Sequence, residues 1–490
     1  MKYIPTQSTD PLPCPDYQVV VNGRPVAVHG AKSCQAPFPF RCFKAGTHPG
    51  IKLARADAWG GPAQIAEAGN APYAFACFPA EGPVTVEISS SLPLDKVQVR
   101  PARAATVERV DKHTMTLRLD GPAKLSVEPD GRHGGLLLFA DAPETEIPDA
   151  DDPKVHFYGP GLHRAGVIEL KDGETLYLAP GAVVEGGICA KNAKDIRILG
   201  RGILCGDPWG WRAGPQSHMN MFNDVENLHM EGIVLRCSWQ WTMRTMGCRH
   251  VTFRNLKLCQ GKNLNDDGID PCSTSDVLIE DCFIRTHDDN ISVKAHCDDR
   301  RPCERIEIRN CLHWSDLSRI LMVGPESHAD RIGDIHMHDC EVIYLGPPVR
   351  KTGFGDWDGC APFVCIEAAE DSLMEDILIE NVVVHLDEDR HEKDLIKIEP
   401  CLTIFSKRNT MGRVRNITFR NLECIGPWQP RICIWGKDAE HDVRGVRFED
   451  VRIGGAPLDA SYPQLSISEE HAADISFDTK RMATKGTKCT

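Results

Sequence analysis

The chain has 490 residues, and 56 Lys and Arg stand against 70 Asp and Glu, a formal charge of −14. Hydrophobic residues make up 41% and charged residues 26%, which fits a folded globular protein and excludes a disordered one. The acidic balance argues against nucleic acid as a partner, because phosphate binding needs a basic face, and no run of about 18 apolar residues predicts a membrane span.

The first residues, from Met1 to Gln18, contain no apolar run, so no Sec-type signal peptide is expected. The 21 cysteines are an odd number. Without a leader, the simplest reading is a reduced, cytoplasmic setting with most thiols buried as small apolar groups. The segment His296-Cys297…Cys303 lacks a second ligand pair at finger spacing, so no metal site is expected there.

Residues 1–145 read as an N-terminal β-sandwich. Short alternating runs such as Tyr17–Val21, Pro83–Ile88 and Met115–Leu119 are broken by turn signals, Asn22-Gly23 and Asp120-Gly121-Pro122. A Pro- and Asp-rich stretch from Pro143 to Pro153 reads as the linker.

From about residue 165 the chain repeats itself. The unit is a polar residue, an apolar–polar–apolar triplet, then a pair that often ends in Asn or Asp. Copies start at Asp195, Asn227, His250, Asp276, Arg305, Asp334, Asp376, Asn416 and Gly445, at spacings of 32, 23, 26, 29, 29, 42, 40 and 29 residues. The triplet has period two, so each copy is a strand with one buried face. The unit is too short for a helical crossover at every copy. A constant strand signature with unequal spacing predicts an all-β, right-handed parallel β-helix over residues 146–490.

On such a fold Asn255, Asp281, Asn310, Asp339, Asn381, Asn421 and Asp450 fall in one column. Short polar side chains tolerate the left-handed backbone of a tight turn. Cys282, Cys311 and Cys340 follow that column at equal spacing and are expected to form a stacked, reduced ladder. The two long spacings predict insertions around 345–372 and 385–412. These carry Asp356, Trp357, Asp358, Glu367, Arg390, His391 and Glu392, and loops of this length commonly shape a cleft.

The densest chemistry lies between Asn263 and His296. Asp266, Asp267 and Asp270 share one turn, and Asp288-Asp289 follows 21 residues after Asp267, about one coil. Residues one coil apart lie side by side, so Asp267 should face the Asp288-Asp289 pair. Carboxylates packed together repel, and at least one pKa should rise. A raised acid beside an ionised base is what glycosidic cleavage by inversion requires. Spacing alone leaves two other readings open, plain turn formers and a calcium site.

The pattern resembles the family 28 glycoside hydrolases, the polygalacturonase-like group, over roughly residues 155–455. That family's Asn-Thr-Asp-Gly-x-Asp motif is matched by Asn265-Asp266-Asp267-Gly268-Ile269-Asp270, and its Asp-Asp motif by Asp288-Asp289. Cys237-Ser238-Trp239-Gln240-Trp241 is similar to its Ser-Pro-x-Trp segment. The N-terminal part, with Val21-Asn22-Gly23 and Phe78-Pro79, resembles the sandwich of dextranase-type family 49 enzymes. So do Gly159–His163 and Leu176–Val184.

The resemblance implies Asp288 as general acid, with Asp267 and Asp289 holding and activating water; no cofactor or metal is expected. Two family motifs are missing. The Gly-His-Gly motif should fall near Ser318–Gly324, where Arg319 takes the place of the histidine. The Arg-Ile-Lys motif should fall near Val364–Glu367, where Glu367 stands in place of a lysine. A glutamate repels a uronate carboxylate, so a neutral sugar is expected over galacturonan. Lys294 and Arg319 keep a charged substrate open.

Trp239, Trp241 and Trp357 are candidate sugar platforms or packing residues. His287 and His296 flank the site, with hydrogen-bonding roles expected, and Asp270, His287 and Glu367 are candidate substrate-binding residues. The expected function is thus hydrolysis of an O-glycosidic bond of an oligo- or polysaccharide. The alternatives are a uronide hydrolase, a β-helix polysaccharide lyase, and a non-catalytic carbohydrate-binding β-helix.

Overall fold

The structure, a computed structural model, describes residues 10–12, 14, 16–34, 70–132, 134–263, 265–345, 363–386, 394–403 and 407–478. It is all-β. Two five-stranded sheets come first, and a 32-stranded assembly from Val155 to Asp478 follows.

The three N-terminal runs are the strands Tyr17–Val21, Val84–Ser90 and Thr114–Leu119, antiparallel neighbours in one sheet. In this sheet the burial alternates, as in Val84–Ser90, because only one face meets the core. The second sheet holds His29–Cys34, Asn70–Pro79, Leu136–Asp141, Ala123–Arg132 and Gln98–Arg100. Its strand Leu136–Asp141 is buried at every position. One face packs on the first sheet through Leu136 and Leu138. The other packs on the β-helix, where Tyr73, Phe75, Leu137 and Phe139 meet Cys259, Phe283, Leu312 and Trp314. A continuous apolar run is what a sheet covered on both sides demands.

All nine sequence copies are strands in one parallel stack, from Lys194–Gly200 to Val443–Glu449. The triplet register is kept: Ile196, Leu228, Val251, Val277, Ile306, Ile335, Ile377, Ile417 and Val446 lie one above the other. A second stack contains Met243–Met246, Ile269–Cys272, Ile291–Ala295, Leu321–Ser327, Val364–Ala368 and Asp394–Pro400. A third contains Val234–Arg236, Lys257–Cys259, Phe283–Thr286, Leu312–Ser315 and Glu341–Tyr344. The sandwich lies against this third stack.

The expected turn column is left-handed throughout: Asn255 (φ 50°), Asp281 (51°), Asn310 (53°), Asp339 (52°), Asn381 (53°), Asn421 (48°) and Asp450 (53°). A second left-handed column, not foreseen, is formed by the first residues of the repeats, from Asp195 (φ 59°) through Arg305 (56°) to Asn416 (53°). The cysteine ladder stands inside the coil. Each of Cys282, Cys311 and Cys340 donates its thiol to the carbonyl two residues before it, those of Glu280, Arg309 and His338.

Candidate active site

The site forms where the third stack turns into the second. Backbone hydrogen bonds stack the coils there: Thr242 N–H donates to Asp267 C=O (2.7 Å), Gly268 N–H to Asp289 C=O (2.8 Å), and Asn290 N–H to Arg319 C=O (2.8 Å). Asp267 therefore sits over the Asp288-Asp289 turn, as the one-coil spacing predicts.

Asn265 links the two carboxylates. Its Nδ2 lies 3.3 Å from Asp267 Oδ1 and 3.3 Å from Asp288 Oδ2, so these two oxygens are at most twice that distance apart. Asp289 Oδ1 accepts from Ser318 Oγ (2.6 Å) and from the Arg319 backbone N–H (3.2 Å), and the Arg319 guanidinium lies 3.5 Å away. Asp267 and Asp289 are buried, and Asp288 alone of the three is partly exposed.

The Lys294 ammonium completes the cluster. It lies 2.9 Å from Asp267 Oδ2, 2.8 Å from Asp270 Oδ1, and 3.4 Å from the Trp241 ring centroid. Burial works against this ammonium, but Asp267 and Asp270 outweigh it and hold its pKa well above the lysine range. The cation paired with Asp267 and Asp270 is thus a side chain.

Burial pushes the Asp288 carboxyl well above the usual carboxylate range, and the charges of Asp267 and Asp289 add to it. Asp267 is raised by burial and by Asp289, with Lys294 opposing. Burial also pushes Asp266 up to about 7, against the backbone N–H groups of Asp288, Gly261 and His287 that hold it down.

The other expected site residues fall in different places. Asp270 is fully buried behind the cluster as the second partner of Lys294, so it lies behind the surface a sugar can reach. His287 is buried, and its backbone N–H binds Asp266. His296 pairs with Glu326. Glu367 is fully buried one coil beyond Arg319 and pairs with Lys397 at 3.1 Å, and Lys397 pairs with Glu399 at 2.8 Å.

Trp239 is a packing residue, not a sugar platform. It is wholly buried, donates its indole N–H to Gln216 C=O (2.8 Å), and packs edge-on to Trp209. Three glycines make its slot: a Cβ at Gly214, Gly187 or Gly206 would lie 2.1, 2.9 or 3.0 Å from its ring. Trp241 is also buried, stacked on His218 at 4.6 Å. Trp357 lies outside the described residues, as do Asp356, Asp358, Arg390, His391 and Glu392 of the two insertions.

Four residues at the site had no role assigned from sequence. Asn265 and Asp266 are in the quoted motif, and Ser318 neighbours Arg319, so proximity was the available signal. Arg212 had none. Its exposed guanidinium reaches Asn265 Oδ1 (3.3 Å) from the loop between the strands Ile203–Cys205 and Asn220–Asn223.

Among the described residues, one group has metal-ligand chemistry, Cys311, His313 and Cys340, whose donor atoms lie within 4.8 Å of one another. It stands in the coil interior, and its His313 Nδ1 lies 3.2 Å from Oδ1 of Asn290, the residue next to Asp289. Both thiols donate to backbone carbonyls, and burial pushes Cys311 well above its usual range, which opposes the thiolate a metal needs.

Residues 211–313 match the model of the family described as "Glycosyl hydrolases family 28". The segment includes Asp267, Asp288, Asp289 and Lys294 and stops short of Arg319 and Glu367. A probable polygalacturonase of Vitis vinifera is 27% identical over 136 residues, 26% of this chain and 28% of that protein. Polygalacturonase QRT2 of Arabidopsis thaliana is 21% identical over 308 residues, 60% of this chain and 64% of that one. The matches thus span between about a quarter and two thirds of those relatives. Dex49A from Penicillium minioluteum superposes over 96% of both chains with a TM-score of 0.66 at 14% identity, a likeness of fold. By its architecture the chain is a parallel β-helix protein, and its segment 211–313 is similar to the family 28 glycosyl hydrolases.

Proposed function

We propose that the protein hydrolyses an O-glycosidic bond of an oligo- or polysaccharide by inversion. The observation that carries the hydrolytic reading is the trio of aspartates on two adjacent coils, with the partly exposed Asp288 linked to the buried Asp267 through Asn265, while inversion rests on the resemblance to family 28. Asp288, kept protonated by burial and by its neighbours, gives its proton to the glycosidic oxygen as the bond to the anomeric carbon breaks. A water held between Asp267 and Asp289 attacks that carbon from the opposite face and loses a proton to one of them. One water is consumed and two sugars leave.

Within this reading a neutral sugar is the favoured substrate. Uronate recognition needs a cation to pair with the substrate carboxylate. Around the aspartates Lys294 is engaged by Asp267 and Asp270, Arg319 by Asp289, and Lys397 by Glu367 and Glu399. A second reading, a uronide hydrolase, is favoured by the exposed Arg212 beside Asn265 and by the names of the polygalacturonase relatives. A cytoplasmic location, proposed from the cysteine content, goes with an imported oligosaccharide.

Proton NMR of the protein and of Asp288→Asn with neutral, amino and uronic oligosaccharides tests the reaction and its substrate class. Release of a neutral sugar in the inverted anomeric form, lost in the variant, supports the first reading. Saturated uronates support the second. Unsaturated uronates would mean a lyase, and full activity in Asp288→Asn would remove the assigned acid.

A further inference from the structure

The sandwich and the turn that carries Asp288 are joined through one buried carboxylate. Asp266 has no exposed surface. Its Oδ1 accepts from the backbone N–H groups of His287 (2.8 Å) and Asp288 (3.0 Å), and its Oδ2 from that of Gly261 (2.5 Å). Three donors from two loops therefore converge on one side chain. Such bonds to a buried carboxylate are strong and geometrically demanding.

Gly261 is in turn confined by the sandwich. Its φ is 112°, and a Cβ there would lie 3.1 Å from Asp316 Oδ2 and 3.3 Å from both Cα and Cβ of Ser33. Ser33 belongs to the sandwich strand His29–Cys34, and its hydroxyl donates to Asp316 Oδ2 at 2.9 Å. Asp316 is itself held by Arg285 Nε and Nη2, each at 3.1 Å, and by Trp314 Nε1 at 2.8 Å. Its N–H donates to Thr286 C=O (2.8 Å), and that residue opens the Asp288 turn. The sandwich strand thus touches both anchors of the turn, Gly261 on one side and Asp316 on the other.

We infer that Asp266 is a positioning residue for Asp288, and that the N-terminal sandwich sets the place of that turn through Ser33, Gly261 and Asp316. The inference rests on the reading of Asp288 as the acid. Asp266 touches no substrate; it holds the peptide of the group that does. Displacing a catalytic group by about 1 Å costs on the order of 100-fold in rate. Asp266→Asn keeps an oxygen for His287 and Asp288 but turns an NH2 toward the Gly261 N–H, so it breaks the link to that loop alone. Gly261→Ala strains the same link from the sandwich side.

The experiment measures kcat and KM of the full chain and of Asp266→Asn, Gly261→Ala and Asp288→Asn, on the oligosaccharide found by NMR. Rates are normalised to folded protein by near-UV circular dichroism. The expected result is a drop of about 100-fold in kcat for Asp266→Asn and a smaller drop for Gly261→Ala, with KM within about twofold. Amide exchange at residues 287–290 should be faster in both. Wild-type kcat in Asp266→Asn or Gly261→Ala, with Asp288→Asn inactive, would overturn the positioning role and leave the acid assignment standing. A rate loss that disappears on normalisation would also overturn it, because it would show a purely structural residue. Full activity in Asp288→Asn would overturn the acid assignment and this inference with it.

Discussion

Arg319 shows how one side chain tunes another across a coil. Burial and the charges of Asp267 and Asp289 raise the Asp288 carboxyl, and the Arg319 charge opposes them. Removing that charge must therefore raise the Asp288 pKa further. Arg319→Met is expected to move the alkaline limb of kcat/KM to higher pH, since the opposing positive charge is gone. A pH–rate profile of the variant decides it, and a limb that moved to lower pH would contradict the assignment of that limb to Asp288. The plateau should fall as well, because Asp289 loses a partner. The same residue shows why sequence stopped where it did. Arg319 could be placed near the site by counting coils, but its pairing with Asp289 through both backbone and guanidinium depends on how the next turn bends.

At the scale of an element, the turn columns carry the regularity of the coil. Asn381 sits at φ 53°, donates to Asp339 Oδ1 at 3.2 Å and accepts from Asn421 Nδ2 at 2.7 Å. A β-branched residue there is strained, while glycine is at ease in the left-handed region. Asn381→Val is expected to destabilise the protein by about 1–3 kcal/mol, and Asn381→Gly by distinctly less, as read by urea unfolding. Equal losses would mean that the side-chain ladder, and not the backbone conformation, is the stabilising feature. This column was legible in the sequence because a period-two triplet and a fixed Asn or Asp recur together. The second left-handed column was not, because Arg305, which has no turn preference of its own, breaks the run of Asp, Asn, His and Gly at that position.

At the scale of the whole molecule, the sandwich and the β-helix share a charged seam as well as an apolar one. Arg236 is wholly buried, with its guanidinium paired to Asp10 at 2.7 Å and to Asp207 at 2.5 Å. Breaking a buried pair from one side leaves uncompensated charge, at a cost of roughly 3–5 kcal/mol. Arg236→Met is therefore expected to lower the urea midpoint strongly. Arg236→Lys should not restore it fully, since an ammonium cannot engage both oxygens of Asp10 and both of Asp207 as the planar guanidinium does. A midpoint unchanged in Arg236→Met would show that the apolar contact alone holds the sandwich in place. Nearby, the Arg285 guanidinium lies 3.9 Å from the Tyr73 ring centroid and 4.4 Å from that of Trp314, so the seam runs up to the turn that carries the aspartates.

The linear order of residues was enough to settle the β-helix, the two-part organisation and the meeting of Asp267 with Asp288-Asp289. Each follows from periodicity: a strand alternates every two residues, and the same strand signature returns once per coil although the loops between differ in length. Burial and partnership were decided only by the tertiary structure. Trp239 reads in sequence as a platform or a packing residue. It is a packing residue because Gly187, Gly206 and Gly214, from three separate segments, leave a slot of its shape. Lys294 reads as a substrate cation. It is bound to Asp267 and Asp270 because the outer face of its sheet brings them within 3 Å. Arg212 and Ser33 carry no local signal at all, since their partners lie 53 and 283 residues away. Periodicity constrains which residues share a face, but not how closely two loops approach, and that approach sets the charge and exposure of every group in the site.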